Sequence, residues 1–342
     1  ATDTVGSTGT KASTVTVSRA NLTVTASSHT VQYGADIPTV TPSYATFVNS
    51  ENASSASFTT GLTAPTCTTT YLATSAYGST PTTSCSGGSA ANYTFTTYNS
   101  GTITIQKRAM TVTASSPSVT YGDAVPTITP SYSGFMNSEN ASSSAFTTGL
   151  TAPTCSTVYL VTSNAGTTPA TSCSGGSAAN YSFTTYTAGS VSISKVNMTV
   201  TASSPSVTYG TSSVSITPSY SGFVNSQNAS SEAFTTGLTV PTCTSTYTNT
   251  SAVSSSPSTS CSGGSSTNYL FSTYTSGSVT ITRATPSIAL EYPNSNSGIL
   301  VINSTVSPST NTYSGDGSIT FSTVSTSKCS VDSSTGVIRM LA

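Results

Sequence analysis

The side chains able to do chemistry in this sequence are few, and they are poorly placed for it. There is one histidine, His29, with eight Lys plus Arg and nine Asp plus Glu in 342 residues. General acid–base catalysis needs a histidine or carboxylate held beside the reacting group. A Ser-His-Asp arrangement would have to be built from His29 and Asp36. Neither recurs when the chain repeats itself: His29 is answered by Pro117 and Pro205, and Asp36 by Ala124 and Ser212. Calcium needs a cluster of oxygen ligands. Here Glu51 and Glu139 are answered by Gln227, Asp123 by Ala35 and Thr211, and no D-x-D run occurs. The expectation is no catalytic residue, no metal and no cofactor, hence no enzyme.

The cysteines are a different matter. Cys67 and Cys85 lie 18 apart, and the same pair returns as Cys155 and Cys173, then as Cys243 and Cys261, each time 88 positions on. Two thiols without a nearby histidine or further cysteine cannot complete a tetrahedral zinc shell. An even number at constant spacing, in a weakly hydrophobic chain, predicts one disulfide inside each unit and an oxidising, extracellular or cell-surface address. The "SGG" that follows Cys85 reads as a turn with positive φ. Cys329 has no mate at this spacing, so it is expected to be unpaired within the chain.

The elements that hold these cysteines repeat with them. "TSCSGGSAANYTFTTY" at 83–98 returns nearly unchanged at 171–186 and more loosely at 259–274. "TASSPSVTYG" is identical at 113–122 and 201–210. A gapless period of 88 is too long for a solenoid turn and suits an independent β-sandwich. It divides the chain into an N-terminal segment, 1–19, three repeats at 20–107, 108–195 and 196–283, and a different stretch at 284–342.

Thr, Val, Ile, Tyr and Phe, which fit a pleated half-buried sheet, are abundant, whereas good helix formers are scarce. The fold class is therefore all-β. In the first repeat strands are expected near 21–27, 29–34, 38–44, 56–62, 65–71, 80–85, 93–98 and 101–107. Alternation points Tyr93, Phe95, Ile103 and Ile105 inward, and the recurring aromatics Tyr33, Tyr44, Phe47 and Phe58 read as core.

These spaced elements, Tyr-Gly at 33–34, 121–122 and 209–210, Gly87-Gly88, and Asn-Tyr at 92–93, 180–181 and 268–269, resemble MBG-type repeats of the YGX variety. Such repeats occur in tandem on large secreted and surface proteins of bacteria. The resemblance covers about 20–283 and implies tandem Ig-like β-sandwiches used as a spacer, adhesin stalk or surface-layer element, with no catalytic residue to carry over. The cysteine pair is a departure from the family pattern. The stretch 284–342 looks like part of another bacterial Ig-like type.

A net charge of −1, and no basic run beyond Lys107-Arg108, gives no footprint for nucleic acid. No apolar run approaches the length of a membrane span. "TITIQKRAMTVTAS" joins one repeat's last strand to the next repeat's first without a Gly/Ser linker, which predicts an extended, stiff rod. A near-neutral surface makes self-association easy. The favoured role is a structural stalk or surface filament of adhesin type. The alternative is a module that binds glycan, ice or a host surface through its loops or Thr-rich faces.

Among the Asn-x-Ser/Thr sequons, Asn52, Asn140 and Asn228 recur in register and are candidates for glycosylation. Residues 13–19, with Thr14, Val15, Thr16 and Val17, align with the closing strand 101–107. They could act as a donor strand for the 284–342 domain of another copy, or belong to one repeat among neighbours in a longer polypeptide. The longer polypeptide is favoured, because a donor strand from 1–19 brings no partner for Cys329.

Overall fold

The computed structural model describes residues 13–285, 288–291, 305–307, 310–313, 320–324 and 326–341. In the first repeat β1 (Ala20–Ala26), β2 (His29–Gln32) and β3 (Pro42–Ala45) precede a single helical turn, α1 (Ala56–Thr59). Then come β4 (Thr66–Thr69), β5 (Thr82–Ser86), β6 (Tyr93–Asn99) and β7 (Gly101–Gln106). Two sheets form. One has the order β3-β1-β6, the other β2-β7-β5-β4. The β1–β6 and β2–β7 pairings are parallel, the rest antiparallel.

The period-2 pattern of side chains does the packing. Leu22, Val24 and Ala26 point inward from β1, and Ile103 and Ile105 from β7. Around α1, Tyr44, Phe47, Tyr93 and Phe95 meet Phe58 in edge and tilted ring contacts of 4.9–6.4 Å. The strand expected over 56–62 is instead this helical turn. Asn52 and Ser55 close the preceding turn through Ser55 Oγ and Asn52 Oδ1, each accepting a backbone N–H at 2.8–2.9 Å. One turn of helix then drops Phe58 into the centre of the core, which a strand in that place would not do.

The cysteines sit directly opposite each other on β4 and β5, so the bond closes across the ladder. Cys67–Cys85, Cys155–Cys173 and Cys243–Cys261 are all bonded, with S–S distances of 2.04–2.08 Å. In the first repeat the bridge packs on Val24 and Ala26. Gly87 and Gly88 follow with φ of 67° and 84°, and the Tyr98 hydroxyl donates to the Gly87 carbonyl at 2.6 Å. The repeated phrase is therefore a strand that carries a disulfide into the core, followed by a left-handed turn pinned by the next strand.

By contacts the chain divides into two compact units. The first comprises Ala1–Pro117, Pro126–Tyr159 and Pro169–Val191; the second comprises Ser118–Val125, Leu160–Thr168 and Ser192–Ala342. In the first unit the whole first repeat is joined by two sheets of the second, Pro130–Ser133 with Arg108–Ala114 and Tyr181–Thr187, and Thr154–Thr157 with Ala170–Ser174 and Gly189–Ser190. The second unit holds the parallel pair Ser118–Thr120 and Ser192–Ser194, the third repeat, and short C-terminal strands. Among these, Cys329–Val331 pairs with Ile338–Met340, and Cys329 Sγ lies 3.3 Å from the Thr323 hydroxyl. Residues 13–19 carry no strand pairing, and Val15 and Val17 are 81% and 88% exposed.

Candidate functional site

The site with the most chemistry on it is where one repeat enters the next. In the first unit, β7 ends at Gln106 and the following strand starts at Arg108, so Lys107 alone separates two sandwiches. Beside this crossing, Tyr33-Gly34 forms a tight turn closed by the Ala35 N–H on the Gln32 carbonyl (3.0 Å). Gly34 takes φ +77°, where a residue with a Cβ is strained. The turn presses directly on the neighbour: a Cβ added to Gly34 would lie 2.4 Å from Met136 Cβ.

Tyr33 is core, as the sequence reading had it, but that core is shared with the next repeat. Its ring crosses to the second repeat, where it is 1% exposed and meets Tyr181 edge-on at 5.4 Å. One continuous apolar cluster joins Tyr33, Tyr71, Ile103 and Ile105 of the first repeat to Met110, Phe146 and Tyr181 of the second. At its rim the Tyr33 hydroxyl donates to Glu139 Oε1 at 2.5 Å, and the Tyr181 hydroxyl donates to Oε2 at 2.6 Å. One carboxylate thus bridges two phenols, a stronger arrangement than neutral hydrogen bonds give. Burial first, then the Glu139 contact, pushes the Tyr33 hydroxyl up to about 12. The Tyr181 hydroxyl is raised for the same two reasons.

Three further contacts cross the same boundary. The Tyr77 N–H donates to Asn180 Oδ1 (3.0 Å), Asn137 Nδ2 donates to the Ala73 carbonyl (3.2 Å), and Lys107 Nζ donates to the Ala178 carbonyl (2.8 Å). Lys107 also lies 5.2 Å from the centre of the Tyr77 ring, where the face of an aromatic attracts a cation.

The second unit contains the same device one period on. Gln227 replaces the carboxylate: its Nε2 donates to the Tyr121 hydroxyl at 2.7 Å, and its Oε1 accepts from the Tyr269 hydroxyl at 2.5 Å. Tyr121 and Tyr269 meet edge-on at 5.8 Å. The Ala165 N–H donates to Asn268 Oδ1 (2.9 Å), Asn225 Nδ2 to the Val161 carbonyl (3.0 Å), and Lys195 Nζ to the Ser266 carbonyl (2.7 Å). Gly122, at φ +89°, takes the part of Gly34, with Val224 Cγ2 2.6 Å from its would-be Cβ.

The same residues recur 88 positions apart, and so do their partners. The family model that matches is described as MBG domain (YGX type), over residues 22–104 and 110–192. The chain carries tandem MBG domains. The third copy, 196–283, keeps their Tyr-Gly, Asn-Tyr and cysteine positions in register. A comparison with curated proteins gives no match. Among solved structures, Drosophila N-cadherin EC1-4 is similar at 9% identity over 76% of this chain and 74% of that one, with a TM-score of 0.25. The I9-I11 tandem of titin gives 4% identity, coverages of 76% and 98%, and a TM-score of 0.21. Protocadherin gamma B2 domains 3-6 give 10%, 95%, 90% and 0.21. At these scores they carry no argument about this chain.

Of the residues singled out in the sequence, the six cysteines pair as expected, while Asn52, Asn140 and Asn228 lie exposed on the turns before the helical segments. The sequence reading missed the joint. It weighed Glu51, Glu139 and Gln227 only as metal ligands, and gave Asn180 no role beyond the repeated Asn-Tyr signature, although its side chain is buried in the joint. A signal was present: Tyr-Gly, the Glu/Gln position and Asn-Tyr are all invariant or nearly so across the copies, and the middle one conserves hydrogen bonding rather than charge.

Proposed function

We propose that this chain is a non-enzymatic structural segment of an extracellular or surface protein, in which disulfide-bonded MBG sandwiches are clamped to one another to make a stiff spacer of adhesin-stalk type. The observation that carries this reading is the clasp at each repeat boundary. A flexible string of domains needs no phenol inserted into its neighbour and no shared core. Six half-cystines in three intradomain bonds support an oxidising address. Among the described residues no helix is long and apolar enough to cross a membrane, and no cluster of His, Cys, Asp or Glu could hold a metal ion.

The test is the spread of bend angles between domains in electron micrographs of the intact chain. A narrow spread in the wild type that broadens in a Tyr33→Ala/Tyr121→Ala variant supports the spacer. Equal, broad spreads in both would overturn it. Saturable binding of the wild-type chain to a glycan array would favour a recognition module instead.

A further inference from the structure

The strands that begin and end a repeat are arranged in a way that stiffness alone does not require. In the first repeat two residues separate β1 from β2, and one separates β6 from β7. The register runs from Ala20 beside Tyr93 to Thr25 beside Asn99, then from His29 beside Ile103 to Gln32 beside Gln106, parallel throughout. Each run changes sheet at its middle, and the two make the change together. There the Thr102 N–H donates to Ser28 Oγ at 3.1 Å. Gly101 comes so close that an added Cβ would lie 2.6 Å from the Ala26 carbonyl oxygen. Residues 20–32 and 93–106 are therefore two extended runs side by side, pointing the same way.

Both ends of this ladder are closed. The Ala20 N–H donates to the Asn92 carbonyl at 3.0 Å, and the Tyr33 N–H to the Gln106 carbonyl at 2.9 Å. The second of these bonds lies at the joint, where Tyr33 is buried and water does not compete for it. The parallel pairings recur in the other two repeats. So does the close glycine: a Cβ on Gly189 would lie 2.7 Å from the Ala114 carbonyl oxygen, and one on Gly277 2.8 Å from that of Ala202.

We infer that the repeat is built to carry tension along the chain, and that these two runs are its force-bearing clamp. The inference deepens the spacer reading and rests on it in one respect, that the chain is held at both ends. Tension enters the first repeat at Ala20 and leaves through Lys107 into the next. It draws the first run toward its N-terminus and the last run toward its C-terminus. Because the runs point the same way, the load lies along the ladder and strains its evenly spaced bonds together. A load on neighbouring ends of the two runs would instead open those bonds one at a time. Cys67 and Cys85 lie outside both runs. Their bond is therefore unloaded until the clamp yields, and then it stops the extension short.

The test is to pull single intact chains in two geometries at one loading rate. In the first geometry the handles sit at the two ends of the chain. In the second the N-terminal handle moves to an azide-bearing residue in place of Ile37, which is 59% exposed and lies just past the Tyr33-Gly34 corner. That geometry pulls apart the joint-side ends of β2 and β7 in the first repeat, while the later repeats are still loaded end to end and serve as controls in the same molecule. Openings of repeats are recognised by their disulfides: reducing the bond frees a separation of 18 residues and lengthens the gain by about 60 Å. The expected record in the second geometry is one early opening at about half the force of the later ones or less, since forced unfolding follows the unfolding barrier. The same substituted chain pulled from its ends should open all its repeats at the wild-type force. A first repeat that opens in the second geometry at the force of the others overturns the clamp, and so does early opening of the substituted chain when pulled from its ends. Bend angles are read without load, so stiff joints combined with either of these results would leave the spacer standing and the clamp refuted.

Discussion

Gly34→Ala, Gly122→Ala and Gly210→Ala form an experiment in which the backbone perturbation is shared and the packing perturbation is not. All three glycines hold φ between +77° and +89°, so each alanine costs about 1–2 kcal/mol for an L-residue in the left-handed region. Beyond that they part. The new methyl at Gly34 falls 2.4 Å from Met136 Cβ, at Gly122 2.6 Å from Val224 Cγ2, and at Gly210 on nothing within 4 Å among the described residues. Met136 Cβ and Val224 Cγ2 sit close to the backbone, so the neighbouring repeat has to move, at about 1–3 kcal/mol for an overpacked contact.

The readout is hydrogen exchange at the amides that cross the joints, Tyr77 to Asn180 and Ala165 to Asn268. At about 1.4 kcal/mol per factor of ten, the packing term alone speeds exchange about 5- to 150-fold. Gly34→Ala should act on Tyr77, Gly122→Ala on Ala165, and Gly210→Ala on neither. If Gly34→Ala leaves the Tyr77 amide as protected as in the wild type, or if Gly210→Ala loosens both joints, the Tyr-Gly corner is not a clasp.

Glu139→Gln gives the first joint the chemistry of the second, and exchange at Tyr77 should stay within about threefold of wild type, whereas Glu139→Leu, which strands two phenols, should speed it about tenfold or more. The Tyr33 hydroxyl is raised to about 12 from an ordinary value of about 10. A raised folded value contributes stability that is present below pH about 10 and lost as pH rises toward 12. Phenolate absorbance should therefore show a late-titrating class of tyrosine that shrinks in Tyr33→Phe, and a chain whose tyrosines all titrate near 10 would contradict the buried bridge. Replacing Cys67 and Cys85 together by alanine removes a bond closing a separation of 18 residues, worth about 3 kcal/mol. The first repeat should then melt about 10–20 °C lower, and an unchanged calorimetric trace would deny the bond any part in stability.

Composition and periodicity were enough to establish the architecture. β-branched and aromatic residues alternating at period 2, turn residues between them, and a gapless repeat of 88 leave little besides tandem sandwiches. The cysteine pairs follow because their spacing places them on neighbouring strands. Local pattern failed first at 56–62, where a Thr- and Phe-bearing run that reads as strand becomes a helical turn, since the core needed Phe58 at its centre more than the sheet needed another edge.

The larger failure concerns Tyr33, Glu139 and Asn180. Each has a reading within its own repeat: a core aromatic, a rejected metal ligand, and part of a repeated Asn-Tyr signature. Their shared role depends on contacts between residues 106 and 103 positions apart, and no local period encodes a contact at that range. Recurrence did flag them, because a position that alternates between Glu and Gln is conserving a hydrogen bond and not a charge. What recurrence could not tell was which neighbour accepts that bond. Only the tertiary structure decides that, because the single-residue crossing at Lys107 brings the corner of one sandwich against the open end of the next, and burial there turns a tyrosine from core filler into a clasp.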